Sequence, residues 1–204
     1  MTVVGILLAG GLSRRMGGGD KCLRPLGETT ILARVIARAA PQVAALALNA
    51  NGDPTRFADY RLPIVADSIP DFAGPLAGVL AGVDWAAANG AGASHVASFA
   101  TDAPFLPRDL VARFVAARER EGAVLVCAAS GGRSHPVFGL WPVALRDELR
   151  RAMAEDGIRK VDAWTSRYRL AVVDYPAEPF DPFFNTNRPD DLVAAEMLVA
   201  AAGV

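Results

Sequence analysis

Apolar runs of strand length alternate along this chain with longer stretches of helical period, the pattern of an α/β domain. Val3–Leu8 is a continuous apolar run, as a strand covered on both faces requires. Over residues 30–40, Ile31, Leu32, Val35, Ile36 and Ala39 recur at helical spacing, and Pro41 stops the pattern. Short strands are predicted at 45–48 and 64–66, the first ending at Asn49 and the second at Asp67. Pro75 opens a helix towards Asn89, His95–Ala100 is the next strand, and Pro107 is expected to start a helix reaching Glu121. Residues 124–129 and 136–141 read as two strands joined through Ser130-Gly131-Gly132-Arg133. Helices near 144–154 and 158–164, a strand at 169–174 and a last helix from Pro189 to about Ala202 complete the pattern. No repeat or low-complexity linker interrupts it, so a single domain over 1–204 is expected.

Within that pattern, the polar residues able to do chemistry collect just after strands: Asn49, Asp67 and Asp102. In an open, mostly parallel sheet, ligands bind outside the carboxyl ends of the strands. Three polar strand ends therefore point to one crevice.

Composition narrows the ligand. The chain carries 21 basic and 22 acidic residues, a formal net charge of -1, so neither nucleic acid nor an anionic membrane is expected as a partner. Cys22 and Cys127 belong to no CxxC or Cys/His cluster, which suits packing positions in a reducing compartment. Val3–Leu8 is too short to span a membrane and lacks the charged flank and cleavage site of an export signal. Arg14-Arg15 follows this run, whereas a twin-arginine signal precedes one. A cytoplasmic location is expected.

The richest local signal is the segment Leu8-Ala9-Gly10-Gly11-Leu12-Ser13-Arg14-Arg15-Met16-Gly17-Gly18-Gly19-Asp20-Lys21. Glycines after a strand let the backbone turn sharply and bring N–H groups to phosphate oxygens. Arg14, Arg15 and Lys21 add charge-assisted donors, so phosphate binding is a better reading than a solvated loop. Walker A is excluded, because Asp20 precedes Lys21 and Cys22 stands where a Ser or Thr would ligate magnesium. The dinucleotide fingerprint fails too: Cys22 takes the last glycine's place, Arg24-Pro25 opposes an immediate helix, and Asn49 stands where an acidic residue is required.

The glycine-rich segment resembles the signature loop of the molybdenum cofactor guanylyltransferases, within the nucleotidyltransferase superfamily. Further matches follow in order: Asn49-Ala50-Asn51, Asp67-Ser68, Gly74-Pro75-Leu76-Ala77-Gly78, Thr101-Asp102-Ala103-Pro104-Phe105-Leu106-Pro107, His135-Pro136 and Phe184-Asn185-Thr186-Asn187. The resemblance implies a three-layer α/β/α fold with a mostly parallel central sheet and one antiparallel strand. It implies transfer of GMP from GTP to the terminal phosphate of molybdopterin, with release of pyrophosphate. By matching position, Leu8, Ala9, Gly10 and Gly11 would line the guanine and phosphate site. Lys21 and Arg15 would act on the phosphates, Asn49 and Asp67 would contact base or ribose, and Asp102 would ligate Mg2+. The N-terminal part would hold the nucleotide and the C-terminal part the pterin. A monomer is expected, with transient contacts to other cofactor-assembly proteins.

Elementary chemistry agrees with that picture. Phosphoryl transfer asks the protein chiefly for positioning and charge neutralisation. A triphosphate carries roughly four negative charges, which magnesium, Lys21 and the arginines can largely offset. The acceptor phosphate is already mostly ionised, so no strong general base is assigned. Plainer readings stand beside these: Asp102 as a turn or cap residue, Asp67 as a turn aspartate before Pro70, Asn49 as a turn residue. His95, Trp141 and Trp164 read as packing residues, and His135 as packing or substrate-side. Asn185 and Asn187 flank Thr186 before the last helix, where one can cap it and either can face the pterin or metal.

Three rival functions fit less well. The cytidylyltransferase branch carries LAAG at the first loop, so Gly10-Gly11 favours guanine. A dinucleotide-dependent oxidoreductase would share the opening strand and glycine-rich loop but needs the unbroken fingerprint that this chain lacks. A non-catalytic nucleotide-binding module would have no use for Asp102 together with the phosphate cations.

Overall fold

The computed structural model describes residues 1–9, 20–69, 74–89 and 92–202. The chain opens with β1 (Val3–Leu8), and a short 3-10 turn at Lys21–Leu23 follows the glycine-rich segment. A tight hairpin of β2 (Pro25–Leu26) and β3 (Thr29–Thr30) leads into α1 (Ile31–Ala39), whose first turn is capped by the Thr30 hydroxyl accepting from Ala33 N at 3.1 Å. There follow β4 (Leu46–Asn49), β5 (Ile64–Val65), α2 (Pro75–Asn89), β6 (His95–Ala100), α3 (Leu110–Glu121), β7 (Leu125–Ser130) and β8 (Arg133–Pro142). The chain ends with α4 (Arg146–Ala154), α5 (Val161–Thr165), β9 (Leu170–Tyr175) and α6 (Pro189–Ala202).

Among the described residues, seven strands form one sheet in the order β5-β4-β1-β6-β8-β7-β9. Of these, only β8 runs against its neighbours, antiparallel to both β6 and β7, while β7 and β9 pair in parallel. The expected single reversed strand is therefore β8. Its hairpin with β7 turns at Gly131 and Gly132, whose φ values of 52° and 74° are those of a tight two-residue turn that most residues resist.

Helices cover both faces. Leu32, Val35 and Ala39 of α1 and Leu110, Val111 and Phe114 of α3 pack on one side with Leu7, Leu48, Phe99 and Phe138. Leu76, Val79, Leu80 and Val83 of α2 fill the opposite side with Leu149 and Met153 of α4 and Trp164 of α5. A smaller cluster of Leu26, Ile31, Phe105 and Ala195 seats α6 against the β2–β3 hairpin. Trp141 and Trp164 are core residues, with the Trp141 indole donating to Ser98 Oγ at 2.8 Å. His95 is buried too; burial and the neighbouring Arg118 cation push its pKa down to about 4, which makes it a neutral packing residue.

The sequence pattern misses in three places. The helix expected from Pro107 begins at Leu110, because the carbonyls of Leu106 and Pro107 are taken by Arg38 (3.3 Å) and Gln42 (2.9 Å). Gln42 then caps the displaced start, accepting from Val111 N at 3.0 Å. The helix expected over 158–164 shortens to α5, and the β2–β3 hairpin had no strand-length apolar run to announce it.

Candidate active site

In this sheet β1 sits between β4 and β6, and the chain leaves it to build the sheet first on one side and then on the other. That switch point opens a crevice at the carboxyl ends of β1 and β6. The end of β1 is clamped there by Ala9 N, which donates to Asn49 O at 3.0 Å, and by the Thr101 hydroxyl, which donates to Leu8 O at 3.1 Å. Leu8 and Ala9 thus start the glycine-rich segment from a fixed backbone. Gly10, Gly11, Arg14 and Arg15 lie outside the described residues.

On the β4–β5 side, Asn49, Asn51 and Asp67 form one network. Asn49 is buried, 3% exposed, and its amide donates to Val65 O (3.1 Å) and Asp67 Oδ1 (2.9 Å). Asn51 donates to Asp67 Oδ2 at 2.8 Å and accepts from Asp67 N at 2.9 Å. Each Asp67 oxygen thus holds one amide donor and keeps a lone pair for a further donor. Gly78 in α2 makes room for this, since a Cβ there would run into Asn49 Oδ1 and lie 2.8 Å from Leu8 Cδ2. Beside it, Asp84 of α2 accepts from Ser68 Oγ and pairs with Arg150 of α4, both at 2.5 Å.

On the β6 side, Lys21 Nζ lies 2.7 Å from Asp102 Oδ2 and 2.5 Å from Asn187 Oδ1. Asp102 is held by the last segment before α6: Thr186 donates to the Asp102 carbonyl through its N–H (2.9 Å) and its hydroxyl (3.1 Å). Thr186 is fully buried, so these bonds are shielded from water. The sequence-chosen Lys21 and Asp102, 81 residues apart, are thereby brought together, with Asn187 beside them. A carboxylate and an amide oxygen converging on one cation form a hard-oxygen donor set, which suits magnesium. Among the described residues no group of three or more His, Cys, Asp and Glu side chains is placed to hold a metal ion.

Beyond β6 the same edge carries a second cluster. The hydroxyl of Ser130, the last residue of β7, lies 2.7 Å from His135 Nε2 and 2.7 Å from Asp181 Oδ1. Asp181 Oδ1 also accepts from Phe183 N at 2.9 Å. The His135 ring packs on Phe183 at 4.7 Å between centroids, and Phe183 is braced by Phe138 and Tyr175.

Several contributors escaped the sequence reading. Arg56 pairs with Asp20 at 3.1 Å and donates to Asn51 O at 2.6 Å, joining the returning end of the glycine-rich segment to the Asn51–Asp67 network. Asp181 belongs to no motif of the sequence, Ser130 reads there only as part of the strand connection, and Thr186 lies inside the Asn185–Asn187 motif without a role. Cys22, next to Lys21, is buried, and burial followed by the charge of Asp20 pushes its pKa up to about 11, leaving an unreactive thiol.

Comparison with known proteins agrees with the architecture. Residues 5–170 match the MobA-like NTP transferase domain. The chain is 59% identical over 199 residues, 98% of its length and 95% of the relative's, to a Nitrobacter hamburgensis protein named molybdenum cofactor guanylyltransferase. A Bradyrhizobium protein of the same name is 58% identical, over 97% of this chain and 93% of its own. Among solved structures, the molybdopterin-guanine dinucleotide biosynthesis protein A of Archaeoglobus fulgidus shares the fold with a TM-score of 0.74 at 24% identity, covering 97% of this chain and 99% of that one. A Mycobacterium tuberculosis protein solved as a manganese complex is similar with a TM-score of 0.69 at 17% identity, covering 97% and 99%.

Proposed function

The chain belongs to the MobA-like NTP transferase family, among the molybdenum cofactor guanylyltransferases, and from that premise we propose how its residues divide the work of transferring GMP from GTP to molybdopterin. The observation that carries the assignment is the convergence of Lys21, Asp102 and Asn187 at the switch point of the sheet. A phosphate-binding cation, a metal-binding carboxylate and a neutral oxygen stand there beside a glycine-rich segment.

In this reading the backbone from Leu8 and Ala9 through Gly10 and Gly11 cradles the nucleotide. Asn49 and Asp67 receive the base or ribose. Asp67, its carboxylate already steadied by two amides, is set to accept from an N–H or O–H of the nucleoside. Lys21 and Arg15 neutralise the phosphates. Asp102, with Asn187 alongside, would hold Mg2+, which offsets charge on the triphosphate when bound. The acceptor's terminal phosphate, largely ionised, attacks the α-phosphorus and pyrophosphate leaves, so positioning and charge stabilisation carry the rate.

The nucleotide then occupies the N-terminal half of one domain, and the pterin the half built from β7, β8 and the segment before α6. We assign the enzyme to the cytoplasm as a monomer meeting other assembly proteins transiently; its two free, buried thiols suit a reducing compartment. No helix among the described residues is long and apolar enough to cross a membrane. The deciding experiment measures pyrophosphate release from each nucleoside triphosphate, with and without molybdopterin and magnesium. The reading requires GTP to be used in preference to CTP, and only with both additions; faster use of CTP, or release without the pterin, would overturn it.

A further inference from the structure

The Ser130–His135–Asp181 cluster has no part in the chemistry above, yet it stands on the ligand edge of the sheet. It is also tied to the reacting centre: one segment runs from Asp181, which binds Ser130, through Thr186, which binds Asp102, to Asn187, which binds Lys21. Its hydrogen bonds can be assigned by elimination. An ionised carboxylate only accepts, so the single hydroxyl proton of Ser130 is committed to Asp181 Oδ1. Ser130 Oγ can then only accept from the imidazole, which puts the proton on His135 Nε2. In the neutral ring, Nδ1 is left as a bare acceptor, with no hydrogen bond from the described residues. Burial lowers the His135 pKa, reinforced by the Arg133 cation and only partly opposed by the Asp181 carboxylate, which keeps the ring neutral near pH 7. Packing on Phe183 at 4.7 Å, with Phe183 itself buried, fixes the plane in which that lone pair points.

We propose that His135 is a specificity-determining residue for the acceptor substrate, its fixed Nδ1 lone pair receiving an N–H of the pterin ring. This role rests on the guanylyltransferase reading and deepens it. The chemistry selects the partner: phosphates near neutral pH present mainly acceptor oxygens and are met by Lys21 and Arg15, whereas a bare nitrogen acceptor needs a donor. A pterin's amide and amine edge supplies one. The arrangement is the reverse of a catalytic triad, because the serine sits between the other two and its oxygen is occupied on both sides. The cluster therefore orients and does not attack.

The test compares His135→Phe, which keeps a ring against Phe183 but removes the acceptor, with His135→Asn, which keeps an acceptor near the Nδ1 position. Steady-state rates are measured against molybdopterin and against GTP, with GTP binding followed by calorimetry. His135→Phe should raise KM for molybdopterin roughly tenfold, the worth of one well-placed hydrogen bond. The GTP dissociation constant should stay unchanged in both variants, and His135→Asn should recover most of the acceptor KM. Equal acceptor KM in wild type and His135→Phe would overturn the proposal, as would equal losses in both variants. A lower kcat at unchanged acceptor KM would overturn it in favour of a proton-transfer role. Wild-type turnover of GTP, measured alongside, separates failure of this proposal from failure of the guanylyltransferase reading.

Discussion

The two halves of the crevice are positioned by different devices. On the half proposed for the nucleotide, Asn49 and Asp67 lie at or just beyond the ends of neighbouring parallel strands, and their partner contacts span only 16 to 18 residues. The sheet itself sets their spacing. Where the halves meet, Asp102 is held by a residue 84 positions away and Lys21 by one 166 away, and on the acceptor half Ser130 is held by one 51 away. There a single irregular segment, residues 181–187, is threaded along the edge and bonded to each group in turn. Strand ends inherit the rigidity of a central sheet, whereas a loop held by a few side-chain bonds opens more readily. Substitutions on the first half should therefore cost nucleotide affinity together with stability. On the second half they should cost turnover with little change in folding.

The largest effect is expected where the halves meet. Asp102→Ala removes the carboxylate that would carry the metal and leaves Lys21 without its 2.7 Å partner. Turnover should fall by about 10²–10³-fold, the scale of losing a charge-stabilising group at the reacting centre. Melting temperature should hardly change, and Mn2+ binding followed by electron paramagnetic resonance should weaken in parallel. Turnover within a few-fold of wild type would remove Asp102 from the metal site.

Next in size is Gly78→Ala, which challenges the sheet-built half. The new methyl would run into the Asn49 amide oxygen and crowd Leu8, so Asn49 must turn and release Asp67. Overpacking of this kind costs about 1–3 kcal/mol, and KM for GTP should rise roughly tenfold while KM for the acceptor holds. The counterpart on the acceptor half is Thr186→Val, which keeps the shape but removes the hydroxyl bond to the Asp102 carbonyl; the N–H bond remains. It should lower kcat roughly fivefold, about 1 kcal/mol, with the GTP dissociation constant unchanged. If Thr186→Val weakened GTP binding and Gly78→Ala did not, the division of labour would be reversed.

The same contrast explains what could be read from the chain alone. Asn49, Asp67 and Asp102 were legible because apolar runs stop at or just before them, and strand ends in a parallel sheet share one edge. The reversal at β8 was legible from Gly131-Gly132 between two apolar runs. Thr186, Asp181 and Ser130 were opaque, since nothing periodic brings a residue near the C-terminus to the end of β6 or β7. Arg56 was equally opaque: it lies in a 3-10 turn at Pro54–Tyr60 with no apolar pattern to fix its direction. Local periodicity reports which elements form and which edge they share; it does not report which loop is drawn across that edge.

Arg56 offers the smallest but most discriminating test, because it joins the sheet-built half to the glycine-rich segment. Its guanidinium lies 3.1 Å from Asp20 and donates to Asn51 O at 2.6 Å, and Asp20 immediately precedes Lys21. Asp20 is thus tied to the nucleotide half while Lys21 is tied to Asp102 and Asn187, so this pair of adjacent residues straddles the crevice. The Arg56 side chain is 31% exposed, so solvent screens the pair, and its loss should cost less than about 1 kcal/mol. Arg56→Ala should therefore raise KM for GTP roughly two- to fivefold at low ionic strength, by loosening the register of the glycine-rich segment. Relative to wild type, that penalty should shrink as salt is added, because screening weakens the native pair first. A penalty that persisted at high salt would assign the effect to the Asn51 hydrogen bond, and no penalty at any salt would mean that Lys21 is positioned from the acceptor half alone.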